Sequence, residues 1–250
     1  MQCPELVPAM HGQGLIMQSL VLSRPSAMDC IGTVLESVQL TPTIKSIRLR
    51  LNQPTFTFLP GQSIWPVFER EGQQFKKIYS IASSPSQCPE IDLCVSRVGW
   101  SSAYLQDLNV GDRIAARGPY GLMTLDQLPT RPRLYIAEGS GIAPLKSQID
   151  WLKESGFSRP VWLVQSNPET TEHLPYVNYW RSLTQYWRSF HYVEAIGDSI
   201  ERQLAYQALD LSQFEIDICG VDRRPDEIHT FVLALGAKPE RVRFEKFVAF

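Results

Sequence analysis

The sequence predicts two architectures in succession, an antiparallel β-barrel domain over residues 29–126 and an α/β domain with a parallel sheet over residues 131–250. Three observations predict this. Residues 30–117 carry short apolar runs, several nearly alternating, separated by turn residues, the pattern of a closed antiparallel barrel. Beyond Asp126, buried-strand runs alternate with helical stretches, which implies parallel strands joined by right-handed crossovers. A connector containing Pro and Thr, Leu125–Pro132, separates the two regimes.

Residues 1–28 show no strong periodicity and read as an arm with one short packed segment. In the barrel region Ile44–Leu51 nearly alternates, and Ser63–Phe68, Phe75–Ile81, Ile91–Val98 and Arg113–Arg117 are further strands. Thr41-Pro42, Pro60-Gly61, Glu71-Gly72, Ser84-Pro85-Ser86 and Gly111-Asp112 punctuate them as turns. One helix, Ser102–Leu108, interrupts the series. The second region predicts strands at Leu134–Ala137, Val161–Val164, Phe190–Glu194, Ile216–Cys219 and Val242–Phe244. Its helices include Ile142–Leu152 and Asp226–Leu235.

Bulk properties exclude several function classes. A chain of 250 residues with 44% hydrophobic and 20% charged residues can bury two cores. A net charge of −2 gives no basic field to recruit nucleic acid. No apolar run approaches the roughly 18 residues of a membrane span. The short patch Leu15–Leu22 is broken by Gln18 and Ser19, and no Lys or Arg precedes it. It therefore lacks the features of a signal peptide, and the reading is a cytoplasmic protein. The five cysteines, Cys3, Cys30, Cys88, Cys94 and Cys219, form no C-x-x-C pair, so no zinc or iron–sulfur spacing is present. Their odd number does not suggest a disulfide framework.

Five segments carry candidate chemistry. In Lys77-Ile78-Tyr79-Ser80, alternation puts Lys77 and Tyr79 on one face of a strand. There the cation can meet a phosphate, the ring can stack on a flat heterocycle and a hydroxyl can bond a ring nitrogen. In Gly99-Trp100-Ser101-Ser102 either serine can cap the following helix, whose free N–H groups attract a pyrophosphate. In Glu138-Gly139-Ser140-Gly141-Ile142-Ala143-Pro144, between a buried strand and a helix, glycines admit a dinucleotide close to the backbone. Pro144 stands at the third glycine of the usual dinucleotide fingerprint. Cys219-Gly220 ends a strand, where open α/β sheets place ligands. Glu245-Lys246-Phe247 lies near the C-terminus. Each segment alone also has an ordinary structural reading: a strand face, an N-cap, a glycine turn, a buried thiol, a core phenylalanine.

In this order, with Phe58-x-Pro60-Gly61-Gln62 before the first and Gly118-Pro119-Tyr120-Gly121 after the second, the segments resemble the ferredoxin–NADP reductase superfamily over residues 30–247. The resemblance implies a FAD-binding barrel followed by a nicotinamide-binding domain. By that analogy Tyr79 stacks on the isoalloxazine with Ile78 beside it, and Ser80 sits near flavin N5. Cys94, Val95 and Ser96 line the ribityl or adenosine part, and Gly99, Trp100, Ser101 and Ser102 hold the FAD phosphates. Gly139, Ser140, Gly141, Ile142 and Pro144 cradle the nicotinamide dinucleotide, with Ser166 and Asn167 at its adenosine end. Cys219 and Gly220 flank the nicotinamide, and Ser80, Cys219 and Glu245 surround the reacting atoms. Phe247 either covers the flavin as a displaceable lid or packs in the core, with Phe250 another candidate lid. Three residues depart from the family pattern: Lys77 in place of Arg, Glu138 in place of a small residue and Val221 in place of Pro. Lys77 offers a point charge where Arg offers a fork.

The implied reaction is hydride transfer from NADH or NADPH to FAD, and the flavin carries the difficult chemistry. Electrons then pass to a separate acceptor, an iron–sulfur or haem protein, since this chain has no cluster ligands, or alternatively to a quinone, a free flavin or oxygen. Surface cations Lys45, Arg48 and Arg50 either dock such a partner or form the solvated face of a strand. A flavin-binding relay or regulatory subunit without its own turnover is the alternative, motivated by the three departures. The segment Gln165-Ser166-Asn167-Pro168-Glu169 carries no cation for an adenosine 2′-phosphate, and Glu169 and Glu172 repel one. NADH is therefore favoured, unless a distant Arg such as Arg202 folds in.

Overall fold

The computed structural model describes residues 22–167, 169–197, 200–221 and 223–247. Most of the arm and Phe250 lie outside these residues.

The first half forms β1 (Met28–Gln39), β2 (Ile44–Leu51), β3 (Ser63–Arg70), β4 (Gln73–Lys76), β5 (Tyr79–Ser80), β6 (Glu90–Ser96), α1 (Trp100–Asp107) and β7 (Arg113–Tyr120). Every pairing among the strands is antiparallel, in the order β4-β3-β7-β1-β2-β6 with β5 also on β3. The chain beyond β5 bridges Ile81 to Leu93 of β6, which brings the sheet back on itself and closes the barrel.

The run Phe75–Ile81, predicted as one strand, is split at Lys77 and Ile78. The cause lies on the partner. β4 and β5 share one register on β3, with Val67 opposite Lys76 and Ile64 opposite Tyr79. Pro66 falls between them and has no N–H to donate. Its carbonyl accepts from Lys77 N at 3.4 Å, and the ladder lapses there.

The second half forms β8 (Arg133–Glu138), α2 (Ile142–Glu154), β9 (Val161–Asn167), α3 (Val177–Tyr186), β10 (Phe190–Ile196), α4 (Ile200–Gln207), β11 (Glu215–Val221), α5 (Arg224–Ala234) and β12 (Val242–Phe247). The five strands are parallel in the order β10-β9-β8-β11-β12. The order reverses between β8 and β11, so their carboxyl ends open a crevice of the kind in which such sheets bind ligands.

Residue parity divides the cores. Ile47, Leu49 and Leu51 of β2 point into the barrel with Val34, Phe56, Phe58, Ile64, Ile81, Ile91 and Leu93. Ile44 and Cys94 point the other way, into a cluster shared with Tyr135, Ala137, Ile142, Leu145, Ile149, Trp151 and Cys219 of the second half. One apolar cluster therefore spans the two sheets, beside a core proper to each half. A buried polar network reinforces the seam. Asp217 is 1% exposed and pairs with Arg133, itself 3% exposed, and with both Nε and Nη2 of Arg243 at 2.7 Å. Arg243 Nη1 also donates to Thr124 O at 2.9 Å, and Gln148 Nε2 donates to Met123 O at 2.9 Å. Among the described residues no helix is long and apolar enough to cross a membrane, and no cluster suits a metal ion.

Candidate functional site

The site grows from two places, the β5–α1 cleft of the barrel and the β8–β11 crevice of the parallel sheet. In the cleft, the half-buried Tyr79 ring rests against Phe68 at 6.3 Å, and its hydroxyl donates to Ser101 Oγ at 3.3 Å. Burial pushes the Tyr79 phenol up, with the Ser101 bond opposing, so it stays a neutral donor. Ser80 is buried, its hydroxyl 3.3 Å from that of Ser63.

The helix begins two residues earlier than the sequence predicts, and neither serine is its cap. Gly99 is the N-cap. Ser102, in the first turn, accepts from the N–H groups of Val98 and Gly99 at 3.0 Å and donates to Gly99 O at 2.9 Å. This tight turn leaves the first-turn N–H groups without intrahelical acceptors. Gln106, overlooked in the sequence, anchors the helix by donating to Thr43 O at 3.0 Å and Val95 O at 2.7 Å. Trp100 packs edge-on against Phe68 and Phe75. Ile78, just before β5, and Val98, two residues before α1, are exposed apolar side chains. The Cys94 and Val95 side chains are enclosed, so they offer the cleft only main chain, and Ser96 is half-buried. Burial drives the Cys94 thiol up to about 12.

In the crevice, Gly139 has φ +54° with open space around it, a backbone state that glycine permits. Gly141 is required for a different reason. A Cβ there would lie 2.5 Å from Cys219 O. The Gly139–Gly141 turn packs against both β11 and β6, so it touches the two halves of the molecule. Ser140, Ile142 and Pro144 are buried beside it. Glu138, at the end of β8, accepts from Ser166 Oγ at 2.9 Å and from Arg224 Nε at 3.4 Å. Arg224 was not singled out in the sequence, because it lies 86 residues from Glu138. Asn167 Oδ1 accepts from Glu169 N at 2.8 Å and shapes the loop after β9.

Cys219 pairs with Glu245 across β11 and β12, with Gly220 next to it on the ladder. The Cys219 thiol is held well above its ordinary range by burial and then by Glu245 and Asp217. Burial and Asp217 also raise the Glu245 carboxyl. Cys219 is thus a neutral thiol. Phe247 is half-buried and closes the β12 ladder opposite Val221. By strand alternation it points to the same side as Glu245.

The cations considered for partner docking are all engaged. Arg48 grips Asp92 with two bonds, Arg50 pairs with Glu90, and Lys45 Nζ donates to Gln106 O at 2.8 Å. Sequence reading also missed a polar cluster at the seam. Lys146 binds Asp150 at 2.6 Å and sits 5.3 and 5.2 Å from the Tyr176 and Tyr179 ring centres.

Residues 32–125 match the family model of the oxidoreductase FAD-binding domain. Over 229 residues the chain is 29% identical to ferredoxin–NADP reductase B of Sorangium cellulosum, covering 83% of this chain and 93% of that protein. These matches support a place for the chain in the ferredoxin reductase superfamily. Relatives that it matches are named as a ferredoxin–NADP reductase and as reductase components of oxygenases. It is 34% identical to the phenol hydroxylase P5 protein of Acinetobacter pittii over 173 residues, 68% of this chain and 48% of that one, so it spans about half of that relative. The same fold appears in the crystal structure of the Amycolatopsis cytochrome P450 reductase GcoB, with TM-score 0.79 and 22% identity over 90% of this chain and 71% of that one.

Proposed function

We propose that the chain takes a hydride from NADH, in preference to NADPH, onto FAD held by residues 29–126, and that it passes the electrons to a separate iron–sulfur or haem protein. The nucleotide site belongs to residues 131–250. The observation that carries this reading is the Gly139–Gly141 turn, which lies against β6 of the barrel and β11 of the parallel sheet at once. A nucleotide in the crevice and a flavin in the cleft then meet across one seam.

The residues fit FAD. The exposed Ile78 and Val98 supply apolar lips for a flat ring, Tyr79 a stacking face, and the first turn of α1 N–H groups for phosphate. Bound FAD supplies the hydride acceptor and the ability to release electrons singly. Tyr79 orients it, Ser80 offers a buried hydroxyl, and Cys219 packs as a neutral wall. The step needs no proton from these groups, which agrees with the raised Tyr79 and Cys219 values. The preference for NADH rests on Glu169 and Glu172, placed after β9 where an adenosine 2′-phosphate would lie.

The test is an anaerobic titration of the FAD-loaded chain with NADH and NADPH. Bleaching of the flavin by NADH supports the proposal, and a protein that takes up no FAD refutes it. A second reading, a relay or regulatory subunit without turnover, is favoured by the Glu138 carboxylate in the crevice. Reduction of ferricyanide by NADH excludes it.

A further inference from the structure

The crevice already holds an anion, and the chain itself provides it. Glu138 stands at the end of β8, reaching sideways to Ser166 at the end of β9 and to Arg224 at the start of α5. Both donors converge on one oxygen, Oε1, at 2.9 and 3.4 Å. The other oxygen leans over β11, 3.5 Å from where a Cβ on Gly220 would stand. A hydroxyl and a guanidinium converging beside a glycine turn at a strand-order reversal are the donors a nucleotide phosphate seeks. Here a carboxylate satisfies them first.

The surrounding charge deepens the conflict. Arg224 Nη1 is 2.7 Å from Glu227 and 3.6 Å from Glu201. Three carboxylates thus share one guanidinium, and Glu201 Oε2 is buried with no hydrogen-bond partner among the described residues. A phosphate entering beside Glu138 meets repulsion in a partly desolvated site, where like charges weigh more than in water. Glu138 is only 17% exposed on its side chain, so water screens it poorly.

We propose that Glu138 is a resident anion of the nucleotide crevice, which lowers affinity for nicotinamide nucleotides by competing with their phosphates for Ser166 and Arg224. This rests on the nicotinamide site assigned above. Binding requires the carboxylate to turn away and release Arg224, so Arg224 is a phosphate ligand held in reserve. Glu138 acts through these donors and is a positioning residue.

The experiment is calorimetric binding of ADP-ribose, which carries the pyrophosphate without the redox ring, to the FAD-loaded protein. Wild type is compared with Glu138→Gln, Glu138→Gly and the double variant Glu138→Gly/Arg224→Ala. The Gln variant keeps the shape and loses the charge, so it guards against a glycine variant that folds poorly. Both single variants are expected to bind ADP-ribose about tenfold tighter, as like-charge relief in a shielded site allows. Adding Arg224→Ala is expected to remove that gain. Unchanged affinity in the Gln variant, with wild type still binding NADH, overturns this inference alone. A gain that survives Arg224→Ala also overturns it. If neither wild type nor any variant binds ADP-ribose or NADH, the nicotinamide site itself is refuted, and this inference with it.

Discussion

Replacing Asp217 by Ala is expected to destabilise the protein by about 3 kcal/mol, and more than Arg133→Met does. Removing one member of a buried ion pair leaves the other charge uncompensated, which costs about 3–5 kcal/mol. The structure sets where in that range each variant falls. Without Asp217, Arg133 keeps Glu215 at 2.6 Å, and Arg243, 37% exposed, can turn to water. That places Asp217→Ala at the lower end. Without Arg133, Asp217 keeps both bonds from Arg243 at 2.7 Å, and Met fills the space, so the loss should stay below about 2 kcal/mol. Urea unfolding followed by tryptophan fluorescence measures both. A costlier Arg133→Met, or a loss below about 1 kcal/mol for Asp217→Ala, refutes the argument. The same network predicts acid sensitivity. Burial pushes the Asp217 carboxyl up, but Arg133 and then Arg243 pull it below the usual carboxylate range. Its folded pKa is depressed, so its contribution is present above the unfolded value of about 3.9 and is lost as pH falls through the lower folded value. Asp217→Asn should flatten that acid limb, and an unchanged limb refutes the assignment.

Tyr79→Ala should weaken FAD by about 0.5–1.5 kcal/mol of lost stacking and alter the flavin spectrum, while Tyr79→Phe, which loses only the Ser101 bond, should do so by about 1 kcal/mol or less. Fluorescence titration of FAD ranks the two. Gly141→Ala should damage nucleotide binding more than Gly139→Ala, because its Cβ would strike Cys219 O at 2.5 Å whereas Gly139 has open space and only φ strain. Equal effects in an NADH titration contradict this. Steady-state kcat/KM should be higher for NADH than for NADPH, and the reverse order refutes the role given to Glu169 and Glu172. Deleting residues 247–250 should lower the melting temperature and leave nucleotide affinity unchanged, since Phe247 closes the β12 ladder. Tighter binding after the deletion would instead reveal Phe247 as a displaceable cover.

What could be read from the sequence was what is local. Ile44–Leu51 alternates on its own account and matches β2, and the run Leu134–Ala137 is buried on both sides as its composition requires. The candidate motifs sit at strand ends and turns for the same reason: short-range backbone demands select glycine, serine and proline. What escaped depended on distant partners. The break at Lys77 and Ile78 is caused by Pro66 on another strand, and the closure of the barrel by a single bridge from Ile81 to Leu93. Arg48 and Arg50 look like free cations until β6 brings Asp92 and Glu90 alongside them. The partners of Glu138 were likewise hidden, because one is 28 residues away and the other 86. Parity of Ile44 against Ile47 hinted at a second buried face, but nothing in the pattern names what covers it.

The apolar cluster joining Ile44, Ala82 and Cys94 to Tyr135, Ile149 and Cys219 bears on how such a molecule can be re-engineered. A chimera cut in the connector at residues 125–132 would keep the chain continuous and yet expose a cut core on both fragments. The halves are therefore not interchangeable parts. On the site proposed above, a graft aimed at nucleotide preference must either work within the crevice or exchange both sheets together, and new modules are best tolerated as additions outside the pair.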